Sequence, residues 1–508
     1  MLDWFSKKPR GIGALILFSI GIFSIGIQKQ LTTCDYWWHL KAGEWMLDHQ
    51  SIPFRDVFSW YGERHQLYWM SHEWLSDVFL AGWQRLFNSF SAYFSGYLWT
   101  CFLLFLLFGL LSYINQKLYL KNSYLTMFWL FTGSLVFIIV ATPRPHLMSY
   151  LLLTLTLWSL ERFRWRKSFK SLCFLPLWSF LWANFHGGSS NLPYLLGLLY
   201  FISGLFSFEW RGLVSKKWTS SERKQLLLMS LMAFLVIAIN PHGFKLWAYP
   251  YENMGDGYML SIIQEWQPPL LRLSGDLLFL LFFVFVFIVL LFKKAPLPLI
   301  DFLLIGGFSY LTLGSIRFLP LLYIISSFVL FPHMIEFFNS KRTLPLEVSR
   351  PGFQLVYGLT GAIFLILWIV QLPYQATLNF PVYLTDEMIH TLQTIQPQKL
   401  YNHYNFGSEL IYHDIPVFVD GRADLYSKTI LKDAVDLAFL NESPQEIMDE
   451  YEFDYFLISE ELPLNHYLSI HPQLSLVFED EGVLLYRWNR SQKSTPGSPR
   501  IDPWGGMA

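Results

Sequence analysis

Leu31–Leu80 reads LTTCDYWWHLKAGEWMLDHQSIPFRDVFSWYGERHQLYWMSHEWLSDVFL. It stands between the first apolar run of the chain and the second. It carries the acidic side chains Asp35, Glu44, Asp56 and Glu73, several histidines and a cluster of tryptophans. A passive connection between two apolar helices is usually shorter and blander. The stretch therefore reads as an active-site loop, not as a tether.

The rest of the chain sets the context of that loop. Of 508 residues, 53% are hydrophobic and 15% charged, against about 25% charged in soluble domains, and the mean hydropathy is +0.34. Aromatic residues make up 19%, which suits rings anchored at a membrane interface and also a sugar-binding groove. Eleven apolar runs, at 11–28, 91–113, 124–141, 146–160, 171–185, 191–207, 225–239, 276–292, 297–315, 318–334 and 353–371, are expected to span a bilayer. Tilts or breaks are expected near Pro143, Pro176 and Pro320. The first run lacks a small-x-small cleavage site and reads as an uncleaved helix. The amphipathic stretch Glu73–Phe87 is expected along the membrane surface. Basic residues concentrate in alternate connections, such as ERFRWRKSFK and EWRGLVSKKWTSSERK, which places those connections and the N-terminus on the cytoplasmic side.

The expectation is thus an α-helical polytopic protein of the cytoplasmic membrane with about eleven transmembrane helices. Residues 1–371 form its membrane region, with a long first outer loop at 29–90. Residues 372–490 read as a small extracytoplasmic α/β domain, with a strand at Ile415–Val419, helix over 429–450, a strand at Tyr455–Ile458 and a hairpin over Leu474–Tyr486. The tail 491–508 is rich in Ser, Pro and Gly and is expected to be disordered. Cys34, Cys101 and Cys173 form no CxxC and no disulfide framework.

On this topology the unusual polar residues fall on the outer side. Asp35 and His39 are four apart and would share a helix face, where an acid beside a histidine could act as a general base or help bind a metal. The bland alternative has Asp35 as a helix cap. Asp56 and Glu73 could converge on the same place after the turn at Ser51–Pro53. Arg144 sits between two prolines beside His146, and Arg317 lies between two apolar runs. Either guanidinium could take a phosphate or pair with an acid of the protein. Asn184 and His186 in WANFHGG, Asn240 and His242 in NPHG, and Glu265 in EWQ could bind a hydroxylated ligand or serve as ordinary helix-end residues. Asp420 and Arg422 in DGRAD could face a site or stabilise a turn. Acids and histidines together leave room for a divalent metal, without the spacing that identifies one.

Other chemistries lack their signatures. No G-x-x-x-x-G-K-[ST] marks an ATP-driven module, and no second histidine follows His72-Glu73 at zincin spacing. No G-x-S-x-G marks a serine hydrolase. The basic runs accompany no nucleic-acid module, so no nucleic-acid partner is expected.

The layout, and DYWWHLKAGEWMLDHQSIPFRDVFS in particular, resembles the first loop of GT-C membrane glycosyltransferases. These include protein mannosyltransferases, arabinosyltransferases and lipid A aminoarabinose transferases. The resemblance implies a polytopic enzyme that moves a sugar from a polyprenyl-phosphate carrier to an extracytoplasmic glycan, lipid or protein acceptor, with inversion. It implies a first-loop catalytic acid at Asp35. Tyr36 stands where an adjacent second acid is common, so that acid would come from Asp56 or Glu73. Arg144, Arg317 and His146 would hold the donor phosphate. His39, Asn184, His186, Asn240, His242, Glu265, Asp420 and Arg422 would contact substrate. The alternatives are a transporter of a lipid-linked saccharide, which needs no base, and a non-enzymatic assembly protein.

Overall fold

A computed structural model describes residues 35–118, 123–254, 266–269, 274–293, 295–340, 383–426 and 428–490. Two of its helices are long and apolar enough to cross a membrane, Ala92–Asn115 with mean hydropathy 2.0 and Ile316–Met334 with 1.5. Phe279–Leu291 and Leu299–Gly314 are apolar but shorter. The expectation of about eleven transmembrane helices is corrected accordingly, together with the multi-pass localisation in the cytoplasmic membrane that it carried. The sidedness inferred from basic connections presupposed those spans. The expected spans at 11–28 and 353–371, and the tail 491–508, lie outside the described residues.

The physical reason is visible at residues 171–207. Prolines fit the first turn of a helix, where the missing N–H is not needed. Pro176 and Pro193 accordingly begin two separate helices, Leu175–Phe185 of 11 residues and Leu192–Ser203 of 12. At 1.5 Å per residue each rises roughly 17 Å, about half of a ~30 Å hydrocarbon core. Buried charge interrupts other apolar runs. Arg164 donates to Glu161 at 3.0 Å and to both oxygens of Asp301 at 2.5 and 3.2 Å, and the Tyr200 hydroxyl donates to Glu161 at 2.5 Å. This network joins the helices His146–Arg166, Leu192–Ser203 and Leu299–Gly314.

The chain divides into two compact units. The first holds the residues up to Ile52 together with Ser71–Phe380. Its helix Asp35–His49 is buried along most of its faces through Tyr36, Trp37, Trp38, Leu40, Ala42 and Met46. Such a helix is internal, and it starts on an acid and ends on a histidine, as the helix dipole favours. The helix Trp74–Leu86 crosses it closely at Gly43, where an added Cβ would lie 2.0 Å from the Asp77 carbonyl oxygen. The stretch expected to lie along a membrane surface is thus packed on its neighbour. Strands β1 (Phe208–Trp210), β2 (Leu213–Ser215) and β3 (Leu297–Pro298) make a small sheet in that order.

The second unit holds Pro381–Ala508 together with Pro53–Met70. Its sheet runs β4-β5-β7-β6, formed by Leu400–Asn402, Tyr455–Ser459, Val483–Trp488 and Leu474–Asp480. β4 is parallel to β5, and β7 is antiparallel to both β5 and β6. The β6–β7 turn places Glu481 at φ 43° and Gly482 at φ 79°, the positive values a tight two-residue hairpin requires. Helices Lys428–Phe439 and Pro444–Tyr451 occupy most of 429–450. Ile415–Val419 is not a strand: it offers one parallel bridge, Val417 to Ser59. The Pro53–Met70 segment closes on itself through Asp56 N to Leu67 O at 3.0 Å and Trp69 N to Phe54 O at 3.1 Å. Trp60 then reaches the sheet, donating from Nε1 to the Leu400 carbonyl at 3.0 Å and stacking on Phe418.

Candidate active site

In the first unit, Glu73 is the centre of an imidazole cluster. It sits at the N-cap of the helix Trp74–Leu86, and three histidines reach its carboxylate. His186 Nε2 lies 3.1 Å from Oε1, while His39 Nε2 and His72 Nδ1 each lie 3.7 Å from Oε2. His39 comes from the helix Asp35–His49, where Asp35 opens the first turn four residues earlier. His186 caps the C-terminal end of the helix Leu175–Phe185. Gly187 follows it, and its N–H donates to the His72 carbonyl at 3.0 Å. An added Cβ at Gly187 would meet His72 Cβ at 3.0 Å and a Leu246 methyl at 2.7 Å, so a larger residue there makes its neighbours shift.

Each imidazole has a further partner. Asp77, one helical turn after Glu73, meets His39 Nδ1 at 2.7 Å. The Ser149 hydroxyl lies 2.5 Å and the Ser189 hydroxyl 2.9 Å from His186 Nδ1. Trp182 Nε1 donates to Ser149 Oγ at 2.8 Å. Burial pushes His39 down to about 3, Arg144, His72 and His186 adding to the effect and Glu73 opposing it. Burial also lowers His186 against the pull of Glu73. Asp77 is pushed well up, first by burial and then by the Glu73 charge. Burial would raise Glu73 too, but the three histidines hold it well below the usual carboxylate range. At neutral pH Glu73 is therefore a carboxylate beside a neutral His39 and a neutral His186. A neutral His186 that takes serine hydroxyls at Nδ1 has its proton on Nε2, aimed at Glu73.

Two arginines bound this cluster electrostatically. Arg144 Nη2 lies 2.8 Å from Asp35 Oδ2, with the two side chains 14% and 19% exposed, and its charge depresses His39. Arg317 lies in the turn Ile316–Phe318 with its guanidinium 5.0 Å from the Trp266 ring centroid, and its charge depresses His186. His146 opens the helix His146–Arg166 two residues after Arg144, its ring edge-on to Tyr150.

The structure thus brings together Asp35, His39, Glu73, Arg144 and His186, with Arg317 acting at longer range. Asn184 lies at the edge of the cluster, but its amide is engaged within the protein. It accepts from Trp74 Nε1 at 3.2 Å and donates to the Phe180 and Ile239 carbonyls at 2.8 and 3.0 Å. Asn240 is likewise a turn-maker: it donates to the Ile237 and Gly243 carbonyls and accepts from His242 N at 2.7 Å. His242 is buried, and burial lowers it to about 4. Glu265 lies outside the described residues.

Asp56, Asp420 and Arg422 meet one another. They belong to the second unit, where they form a closed network of their own. Arg422, 1% exposed, donates to Asp56 at 2.7 Å and to both oxygens of Asp420 at 2.8 and 2.7 Å. Tyr426 also donates to Asp420. The Arg422 guanidinium lies 5.2 and 4.8 Å from the Phe58 and Trp69 ring centroids. One guanidinium serves two carboxylates there, and all three groups are shut away from water. Arg422 thus pairs with both Asp56 and Asp420 inside the second unit.

Sequence reading missed Asp77, Ser149 and Trp182. Glu73 and Asp77 are spaced four apart on a helix, a detectable signal, whereas Ser149 sits in an apolar run with nothing to mark it. Among the described residues, no group of three or more His, Cys, Asp or Glu side chains has the arrangement of a metal site.

No protein-family model and no curated relative matches the chain. Solved structures do match. The oligosaccharyltransferase of Archaeoglobus fulgidus, in its apo form, superimposes with a TM-score of 0.53 at 11% identity, over 90% of this chain and 70% of that one. The same enzyme tethered to an acceptor peptide containing the NVT sequon gives 0.53 at 10% identity, over the same shares. The archaeal oligosaccharyltransferase AglB of that organism, in complex with an inhibitory peptide and a dolichol-phosphate, gives 0.52 at 11% identity over 90% and 70%. At 10–11% identity these matches show a distantly shared fold.

Proposed function

We propose that this protein is a glycosyltransferase that moves a sugar from a polyprenyl-phosphate carrier to a hydroxyl-bearing acceptor. The observation that carries the reading is the partly exposed Arg144, fixed 2.8 Å from Asp35 beside the Glu73 cluster. A planar, partly exposed guanidinium is a natural partner for a phosphate. Arg317 supplies a second positive charge to the same cluster. As the glycosidic C–O bond breaks, negative charge builds on the departing phosphate, and fixed cations nearby stabilise that charge most in the transition state. Asp35 then serves as the counter-ion that sets Arg144. The distant similarity to an oligosaccharyltransferase supports lipid-linked sugar and acceptor as the substrate classes.

The test is transfer by the purified full chain from a polyprenyl-phosphate-linked hexose to an alkyl glycoside. Transfer by the native protein, with at least tenfold weaker donor binding in Arg144→Ala, supports the reading. Donor that binds but is never transferred, whatever the acceptor, points to lipid-linked saccharide carriage without chemistry and overturns it.

A further inference from the structure

Glycosyl transfer to a hydroxyl needs a group to receive the hydroxyl proton. Three imidazoles surround Glu73, and two of them are committed. His186 uses Nδ1 toward Ser149 and Ser189 and Nε2 toward Glu73. His39 uses Nδ1 toward Asp77 and Nε2 toward Glu73, and its side chain is 2% exposed. His72 differs. It directs Nδ1 at Glu73 and is 14% exposed, the most open of the three. No hydrogen bond engages its Nε2 among the described residues. Its ring stands edge-on to Tyr249 at 4.3 Å between centroids and 89° between planes, and its carbonyl is pinned by Gly187.

The space before that nitrogen is kept by a missing side chain. A Cβ on Gly188 would lie 3.6 Å from His72 Nε2 and 3.9 Å from His186 Nε2. A side chain at Gly188 would stand in van der Waals contact with both nitrogens. The arrangement of carboxylate, Nδ1 and outward Nε2 is that of an oriented general base, and distances of this kind shorten when the imidazolium forms.

We propose that His72 is the catalytic base of the transfer and that Glu73 is its positioning residue, an assignment that rests on the glycosyltransferase reading above. The acceptor oxygen forms a bond to the anomeric carbon while the bond from that carbon to the phosphate oxygen breaks. The electron pair leaves with the phosphate toward Arg144. The acceptor proton passes to His72 Nε2, and the Nδ1–H of the resulting imidazolium is held by the Glu73 carboxylate. Gly188 sets the size of the acceptor group that can reach Nε2.

The experiment uses the full chain, a polyprenyl-phosphate-linked hexose as donor and an alkyl glycoside as acceptor. His72→Gln is expected to lower kcat by about 10²- to 10⁴-fold, the usual span for a general base, with donor binding unchanged. His72→Ala is expected to regain turnover when imidazole is added, a response that a structural loss does not give. Glu73→Gln lowers kcat with the acceptor KM unchanged, and Glu73→Asp recovers part of it. Gly188→Ala raises the acceptor KM and leaves donor affinity alone. A His72→Gln protein with native kcat, in a preparation whose native form does transfer, overturns the base assignment and leaves the glycosyltransferase reading standing. Absence of transfer by the native protein with donor bound removes both.

Discussion

Arg422 donates to Asp56 at 2.7 Å across 366 residues of sequence, and both side chains are buried almost completely. Taking ions out of water is costly, and the ion pair is kept because each charge offsets the other. Removing one partner strands the other charge. Asp56→Ala or Arg422→Met is therefore expected to destabilise the second unit by roughly 3–5 kcal/mol. Denaturant unfolding followed by tryptophan fluorescence measures this, since Trp60 and Trp69 lie in the same unit. A loss below 1 kcal/mol would show that water enters the network.

Gly43 sets the crossing of two helices in the first unit. Gly43→Ala places a methyl group 2.0 Å from the Asp77 carbonyl oxygen, which is backbone and cannot rotate aside. The helices must separate, and overpacking of this kind costs about 1–3 kcal/mol. A fall in melting temperature together with reduced transfer is the expected pair of results. A variant with unchanged melting temperature would mean that the contact yields freely.

Ser149 holds the outer face of His186 while taking the Trp182 indole N–H. Ser149→Ala strands the buried Trp182 indole N–H, at about 1–3 kcal/mol, while Ser189 still meets His186 Nδ1. Ser149→Thr keeps the hydroxyl and should recover much of that loss. Equal stability of the alanine and threonine variants would remove the hydroxyl from the account.

Acid should destabilise the first unit, and the sign follows from the histidines. His39, His186 and His242 have folded values below their ordinary 6.5. The unfolded chain therefore binds protons that the native state refuses. Their contribution is complete above about pH 6.5 and is lost as the pH falls toward about 4 for His242 and about 3 for His39. Each contributes a slope of at most about 1.4 kcal/mol per pH unit. Glu73, held below 4.5, adds its own loss at lower pH. Asp77, raised above 3.8, has the opposite sign and offsets one histidine. Unfolding free energies at pH 7.5, 6 and 5 should fall in that order, and a flat profile would contradict the neutral-histidine cluster.

The sequence made some of this legible and hid the rest for physical reasons. The i, i+4 spacing of Asp35 and His39 placed both on one helix, and they do share one. The β6–β7 hairpin showed itself by its turn residues around Gly482. Apolar composition misled at 171–207, where prolines at helix starts cut long runs into segments too short to cross a bilayer. Hydropathy also says nothing about partners. Nothing in the residues around Glu161 announces that Arg164 will reach Asp301. Ser149 carries no local signal because its role depends on His186, Trp182 and the path of the chain between them. The Asp35–Arg144 pair was open in the sequence between ligand binding and ion pairing, and only the tertiary fold settles the partner.

The insertion of Pro53–Met70 into the second unit also bears on how the molecule is made. Ser59 bridges to Val417, and Asp56 needs Arg422. A growing chain exposes the early segment long before its counterpart exists. At roughly 5–20 residues per second, the 366 intervening residues take on the order of 20–70 s to synthesise. Through that interval Asp56, Phe58, Trp60 and Trp69 have no finished core to enter. The second unit cannot close around Asp56 until Arg422, 366 residues later, has been made.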